Sequence, residues 1–261
     1  MIKRLSRFGG AIKVEHTVFA LPFAYVAMVL AAGGWPGWHV AIWVTLALLG
    51  ARTTAMALNR LIDRAIDARN PRTASRHLPA GLLRPRDMAI GAVAGIVLFF
   101  VAAWQLNPLC LILAPLALIL LVGYPYTKRF TLASHWILGF TDGIAAAGGW
   151  IAVRGHFDSA AFLLWFAVTV WIAGFDLIYA CQDVEFDRSE GLHSIPARYG
   201  TGVALHLAQL CHLLTILALA ALPIFVPLAW PYWIGLLVVS ALFVYEHSLV
   251  SPGDLSRAGV A

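Results

Sequence analysis

Residues 39–67 read HVAIWVTLALLGARTTAMALNRLIDRAID, and the change of character within that stretch decides the fold. From His39 to Leu58 the only Lys, Arg, Asp or Glu is Arg52; the next nine positions carry Asn59, Asp63 and Asp67 at four-residue spacing. A hydrocarbon core of about 30 Å takes about 20 apolar residues in helical form, so the first part reads as a membrane span. The second part is its polar end. A companion stretch, YACQDVEFD at 179–187, repeats the pattern, with Asp183 and Asp187 closing another apolar run.

Composition extends this reading to the whole chain. At 61% hydrophobic residues, ten Trp and a mean hydropathy of +0.82 over 261 residues, the chain holds far more apolar surface than a soluble domain of this size buries. Eight spans are expected: Val18 to Gly34, His39 to Leu58, Met88 to Leu106, Pro108 to Val122, His135 to Val153, Ala160 to Ala180, Val203 to Val226 and Trp230 to Val250. The fourth is short and contains Pro115. The fold class is therefore all-α, a multi-pass helical bundle in the membrane, with the lipid bilayer as a partner and no nucleic acid. The basic N-terminus, MIKRLSRFGGAIKVEHT, has no small-residue cleavage site after its apolar run and reads as a lead-in to the first span. Cys110, Cys181 and Cys211 all fall within spans, which suits free thiols.

Positive charge sets the orientation. Lys3, Arg4, Arg7 and Lys13 precede the first span, seven Arg lie between Arg60 and Arg86, and Lys128, Arg129, Arg188, Arg198 and Arg257 fall in loops of the same parity. The opposite loops, around Trp35, Asn107 and Pro227, have no Lys or Arg, and Arg154 alone sits near the remaining one. The positive-inside rule then puts both termini and both acidic clusters on the cytoplasmic side of a cell membrane, the inner membrane of a bacterium. Trp35, Trp38, Trp230 and Trp233 fit an interfacial belt on the outer side.

Asp63 and Asp183 stand 120 positions apart, four spans with their loops, and each is followed by a polar loop: NPRTASRHLPAG and RSEGLHSIPARYG. A single domain over 1–261 is expected, made of two parallel four-helix halves at about 13–130 and 131–257. Residues four apart share a helix face, so Asn59, Asp63 and Asp67 line up, as do Asp183 and Asp187. Carboxylates gathered at one mouth repel unless neutralised. Mg²⁺ resolves the repulsion, because it takes oxygen ligands from a few carboxylates together with substrate phosphates. Arg64, Arg69, Arg72, Arg76, Lys128 and Arg129 are cations suited to the remaining phosphate charge. Carboxylate, metal and cation together describe a diphosphate site; the bland alternative is that these are ordinary charges capping helix ends.

Other polar residues sit where charge is expensive. Asp176 lies in an apolar run seven positions before Asp183, two turns away on the same face, and Arg52 stands seven before Asn59; both are expected to face a polar cavity. Asp142, in GFTDGIAAAGG, suits either a cavity or tight helix packing. His193 and Arg198 flank the second cluster, where His193 suits phosphate orientation or plain loop polarity. Glu15 and His16 begin the first span and suit either the acceptor or a helix start.

At these residues the chain resembles the UbiA superfamily of intramembrane aromatic prenyltransferases, and within it the 4-hydroxybenzoate polyprenyltransferase-like branch. The resemblance runs from about Lys13 to about Arg257 and is strongest in KVEHTVFALPFAY, NRLIDRAIDARNPRTASRHLPAG, YPYTKRF and YACQDVEFDRSEGLHSIPARYG. Asn59, Asp63 and Asp67 match the family's NDxxDxxxD, with Arg60 where the first Asp would stand; Asp183 and Asp187 match DxxxD; Tyr124 and Lys128 match YxxxK. The resemblance implies transfer of a polyprenyl group from polyprenyl diphosphate to an aromatic acid such as 4-hydroxybenzoate in quinone biosynthesis, or to a dihydroxynaphthoate in menaquinone biosynthesis. It implies Asp63, Asp67, Asp183 and Asp187 as Mg²⁺ ligands and catalytic groups with Tyr124 and Lys128. Asn59, Arg52, Arg72, Arg129, Asp176 and His193 complete the expected substrate-binding set. It also implies nine spans, where this chain shows eight. A secondary transporter of an organic anion would share the repeats and the basic mouth, but here the acids lie at the membrane edge and the spans lack paired Gly and Pro breaks. A CDP-alcohol phosphotransferase would carry a glycine-studded DG signature that is missing.

Overall fold

The chain is all-helical, and the computed structural model describes residues 2–12, 17–255 and 257. Its helices are α1 (Ile2–Ala11), α2 (Thr17–Ala32), α3 (Trp38–Ile62), α4 (Arg64–Arg69), α5 (Pro85–Leu106), α6 (Pro108–Thr127), α7 (Ser134–Arg154), α8 (Ser159–Ala180), α9 (Val184–Glu190), α10 (Ile195–Tyr199), α11 (Thr201–Ala221) and α12 (Trp230–Ser248). Among the described residues there is no strand, only an isolated bridge between Ser251 and Asp254. Each of the eight expected spans falls on one helix. Among the described residues six helices are long and apolar enough to cross a membrane, while α2 has a shorter apolar stretch, Leu21–Ala32.

Local chemistry sets the ends. At Gly33 the backbone turns to φ 67°, a conformation that costs glycine nothing, and α2 stops there. Pro85 opens α5 at a position where its missing N–H is no loss, and Asp87 accepts from the Arg84 N–H at 3.3 Å. Asp158 caps α8 by accepting from the Ala161 N–H at 3.0 Å. The short fourth span of the sequence reading is longer in the structure: α6 continues through both Pro115 and Pro125 to Thr127. Membrane-spanning helices tolerate such breaks in the bonding ladder where neighbouring groups supply partners.

The helices sort into two compact units. The first comprises residues 1–126 and 145–157. Its tightest seam is α3 on α5, where a Cβ on Gly95 would lie 2.6 Å from Thr54 Oγ1 and 2.8 Å from the Gly50 carbonyl. Small residues thus let two backbones approach and pack in a lipid solvent that offers no hydrophobic drive between helices. The second half of α7 belongs here because Gly149 seats against the Ala24 backbone of α2 and Asn107 Nδ2 donates to the Ile151 carbonyl at 2.8 Å.

The second unit comprises residues 127–144 and 158–261. Its core joins α8 to α11 through Val170, Ala173, Leu177, Ile178, Ala204, Leu205 and Ala208. Gly139 of α7 lies against the Thr169 backbone of α8, again by close approach of small residues. Side chains such as Leu237 and Val244 of α12, 70% and 73% exposed, present apolar surface suited to lipid.

Candidate active site

In the first unit the acidic cluster straddles a break in the helix. The four-residue spacing suggests one unbroken helical face, yet α3 ends at Ile62 and Asp63 takes φ −92°, ψ 4° before α4 begins. The i to i+4 bonding survives the break: Asp63 N–H donates to the Asn59 carbonyl at 2.9 Å and Asp67 N–H to the Asp63 carbonyl at 2.7 Å. Asp sits comfortably at such a junction because it favours caps over helix interiors, and this bridge region of backbone space recurs in functional residues. The second unit repeats the device. After α8 the chain tightens into a short 3₁₀ turn, Cys181–Asp183, and Asp183 takes φ −110°, ψ 11° before α9 carries Asp187.

Around the first cluster the partners are mostly cationic. Asp63 and Asp67 are buried, at 3% and 5% exposure. One guanidinium nitrogen of Arg76, Nη1, reaches both carboxylate oxygens of Asp67 at 2.8 and 2.9 Å, and Arg60 Nη1 stands 3.8 Å from Oδ2. Arg60 itself is 7% exposed and donates from Nε to the Ala11 carbonyl at 3.3 Å. Asn59 Nδ2 donates to the Tyr124 hydroxyl at 2.9 Å, bringing two of the expected residues together. The loop after α4 is ordered by its own polar groups, with Thr73 Oγ1 donating to the Asp67 carbonyl and the Arg72 N–H to Asn70 Oδ1, both at 2.9 Å. Arg72 is exposed there. Arg52, two turns up α3 from Asn59, is half-buried and its Nε has no hydrogen-bond partner.

The second cluster has a hydroxyl and a lysine among its neighbours. Asp187 Oδ2 accepts from Ser194 Oγ at 2.7 Å, and Lys128, His135 and Asp183 stand within electrostatic range of it. Asp176 lies in α8 and accepts from His135 Nδ1 at 2.7 Å, while the Ile195 N–H donates to His135 Nε2 at 3.2 Å. That second bond assigns the tautomer: Nε2 is the acceptor, so the proton sits on Nδ1 and points at Asp176. His135 is 2% exposed and escaped the sequence reading, since a histidine opening an apolar helix 41 positions from its partner sends no local signal. His193 enters through its backbone, its N–H donating to the Lys128 carbonyl at 2.7 Å, and its ring is exposed. Arg129 is exposed and Asp142 is half-buried. Glu15 and His16 lie outside the described residues.

The two clusters differ as hosts for a divalent ion. Asp183 and Asp187 supply carboxylate oxygens of the kind a divalent ion takes beside phosphate ligands. In the first cluster Asp67 is the poorer donor, because both of its oxygens accept from Arg76, and position 60 supplies a guanidinium instead of a carboxylate. Among the described residues no group of three or more His, Cys, Asp and Glu side chains converges as a ready-made metal site.

Comparison with known proteins agrees with this geometry. The profile of the UbiA prenyltransferase family matches residues 20–261. The chain is 34% identical over 232 residues to the 4-hydroxybenzoate octaprenyltransferase of Aeromonas salmonicida, covering 86% of this chain and 77% of that one. Among solved structures it resembles the apo structure of a UbiA homolog from Aeropyrum pernix, with a TM-score of 0.87 and 33% identity over 94% of this chain and 91% of the other. The fold is shared with a UbiA homolog from Archaeoglobus fulgidus bound to GPP and Mg²⁺, at a TM-score of 0.74 and 20% identity over 97% of this chain and 94% of that one. With the family profile spanning nearly the whole chain and the motif residues standing at matched helix breaks, this membrane-embedded enzyme belongs to the UbiA prenyltransferase family.

Proposed function

We propose that this prenyltransferase moves a polyprenyl group from polyprenyl diphosphate to the ring of an aromatic acid of the 4-hydroxybenzoate type, with Mg²⁺ as cofactor. The allylic carbon–oxygen bond breaks, its electrons leave with the diphosphate, a ring carbon attacks the allylic cation, and that carbon then loses its proton. Lys128, Arg72 and Arg129 are the cations suited to the leaving diphosphate, while Arg76 is engaged with Asp67. Asn59 and Tyr124 hold each other through one hydrogen bond and so fix the helix end that presents Asp63. Asp183 and Asp187 are the residues that would hold the ion, and a bound Mg²⁺ would supply charge neutralisation for the departing diphosphate. Apolar walls suit the reaction, since water would quench an allylic cation.

The observation that carries the choice of an acid acceptor is Arg52. A guanidinium set in the apolar run of α3, with a buried Nε lacking a partner, calls for an anion. The carboxylate of a hydroxybenzoate meets that need. A dihydroxynaphthoate has a carboxylate too and is the second reading. The loops rich in Lys and Arg support a cytoplasmic position for the acidic turns, in the inner membrane of a bacterium.

The test is a panel assay: purified protein in nanodiscs, Mg²⁺, labelled polyprenyl diphosphate, and hydroxybenzoates, dihydroxynaphthoates and their decarboxylated phenols as acceptors. The proposal expects prenylated acids, no prenylated phenols, and loss of acid prenylation in Arg52→Leu. Equal rates on acids and decarboxylated phenols would exclude the carboxylate role, and anion counterflow without prenylated product would exclude the reaction.

A further inference from the structure

We infer that Arg60 is a positioning residue that ties the N-terminal helix α1 to the acidic turn, so that the docking of α1 sets the order of loop 70–84 and of Asp67 beside it. This rests on the prenyl-diphosphate reading above, in which Arg72 of that loop meets the diphosphate. Helix α1 needs anchors from outside itself. Ten residues make a helix that is marginal alone in water, and IKRLSRFGGA carries two glycines in its last turn. The anchors are on α5 and on the loop. Phe8 packs where Gly91 leaves room, since a Cβ there would run into its ring. Ala11 and Ile12 join Leu78 and Leu83 of the loop and Met88 and Ala92 of α5 in one buried cluster. A Cβ on Gly10 would lie 3.3 Å from His77 Cε1, and Arg7 Nη1 donates to the Leu82 carbonyl at 3.4 Å. Helix α1 thus braces the loop.

Arg60 of α3 reaches both the brace and the acid. The last carbonyls of a helix have no partner within it and form the negative end of its dipole. Arg60 donates from Nε to one of them, the Ala11 carbonyl, at 3.3 Å, and places Nη1 3.8 Å from Asp67 Oδ2. A cation from another helix therefore caps the C-terminus of α1. The same Asp67 is bound into the loop at two points, its carboxylate accepting from Arg76 and its carbonyl from Thr73. One guanidinium thus links the end of α1 to the residue on which the loop is folded.

Burial makes the link mechanical. The Arg60 side chain is 9% exposed, and a charged group with so little water depends on partners for its N–H groups. Lifting α1 away removes the acceptor from Nε, and the guanidinium must then shift relative to the carboxylate at its other end. The residue type matters as much as the charge. Arginine presents Nε and Nη in one rigid plane, whereas a lysine ammonium is a point charge on a flexible stem and offers no such pair of fixed donors.

The experiment uses the full chain in nanodiscs and combines amide hydrogen exchange with steady-state kinetics. Arg60→Lys and Arg60→Met should speed exchange across residues 7–12, although neither alters α1 itself, and Phe8→Asp should speed exchange across residues 70–84. Each variant should raise KM for the polyprenyl diphosphate about tenfold, a usual size for coupling between sites, and leave KM for the aromatic acid within about twofold of wild type. The double variant Phe8→Asp with Arg60→Lys should be no worse than the worse single one, because both break one tie. Wild-type exchange over residues 7–12 in both Arg60 variants overturns the inference, as does a diphosphate KM that multiplies in the double variant. So does a wild-type diphosphate KM in Arg60→Lys, which would leave Arg60 only its charge. Should Phe8→Asp fail to fold, as judged by gel filtration, the two Arg60 variants decide alone. Absence of prenyl transfer in the wild type removes only the parent reading, and the exchange comparison then decides the tie by itself.

Discussion

A single imidazole shows how much of this site is held by groups outside its motifs. His135 gives its Nδ1 proton to Asp176 and takes the Ile195 N–H on Nε2, so the start of α7, the last turns of α8 and the start of α10 meet on one ring. Replacing it with Leu leaves a carboxylate and a backbone N–H unsatisfied, at a cost of about 1–3 kcal/mol for such a group. We expect His135→Leu to lower the midpoint of thermal unfolding in detergent by several degrees. Asp176→Asn, whose amide oxygen still accepts from Nδ1, should lose less than half as much; an equal loss in the two variants would remove the hydrogen bond from the account. The Asn59–Tyr124 bond makes a second test. If its function is to hold the end of α3, Tyr124→Phe and Asn59→Leu should each depress prenyl transfer, and the double variant should be no worse than the more damaging single one. Additive losses would mean that the two side chains act separately.

At the scale of the element, helices pack where small residues allow contact and turn where Asp or Gly permits it. Gly95 on α5 has Thr54 Oγ1 and the Gly50 carbonyl within 2.8 Å of where a Cβ would be, so Gly95→Ala must push two backbones apart. A cost of about 1–3 kcal/mol is expected for such overpacking, read as a drop in thermal midpoint, whereas Gly148→Ala, with nothing within 4 Å of its Cβ, should leave stability within about 1 kcal/mol of wild type. Equal behaviour of the two would contradict the seam described for α3 and α5. The apolar runs were readable from residue order alone, because the membrane demands about 20 apolar residues per helix and little else. The breaks at Asp63 and Asp183 were not. A four-residue spacing fits an unbroken helix, and here the i to i+4 bonds run on through the turn at Asp63 while its ψ moves to 4°. Equally hidden was Arg76, whose grip on Asp67 spans nine positions and a loop that only the folded chain brings round.

For the molecule as a whole, the distribution of charge predicts topology. Cysteines introduced at Arg72 and at His193, both exposed, should react with a membrane-impermeant thiol reagent only from the cytoplasmic side of oriented vesicles, and those at Trp38 and Trp230 only from the other. Labelling of Arg72 and Trp38 positions from one side would break the orientation. The family, the helical bundle and the acidic motifs were legible because they lie in contiguous runs; the state of those acids was not, since neutralisation of Asp67 depends on two arginines brought together by folding. The central claim is that carboxylates at these helix breaks drive transfer from a prenyl diphosphate. Its most direct test is product formation from labelled polyprenyl diphosphate and 4-hydroxybenzoate with Mg²⁺, in wild type, Asp63→Ala and Asp183→Ala, with and without EDTA. The account predicts prenylated product in wild type, its disappearance with EDTA, and a loss of at least a hundredfold in each variant, about 2.7 kcal/mol in activation free energy. Product that persists undiminished in both variants would contradict it.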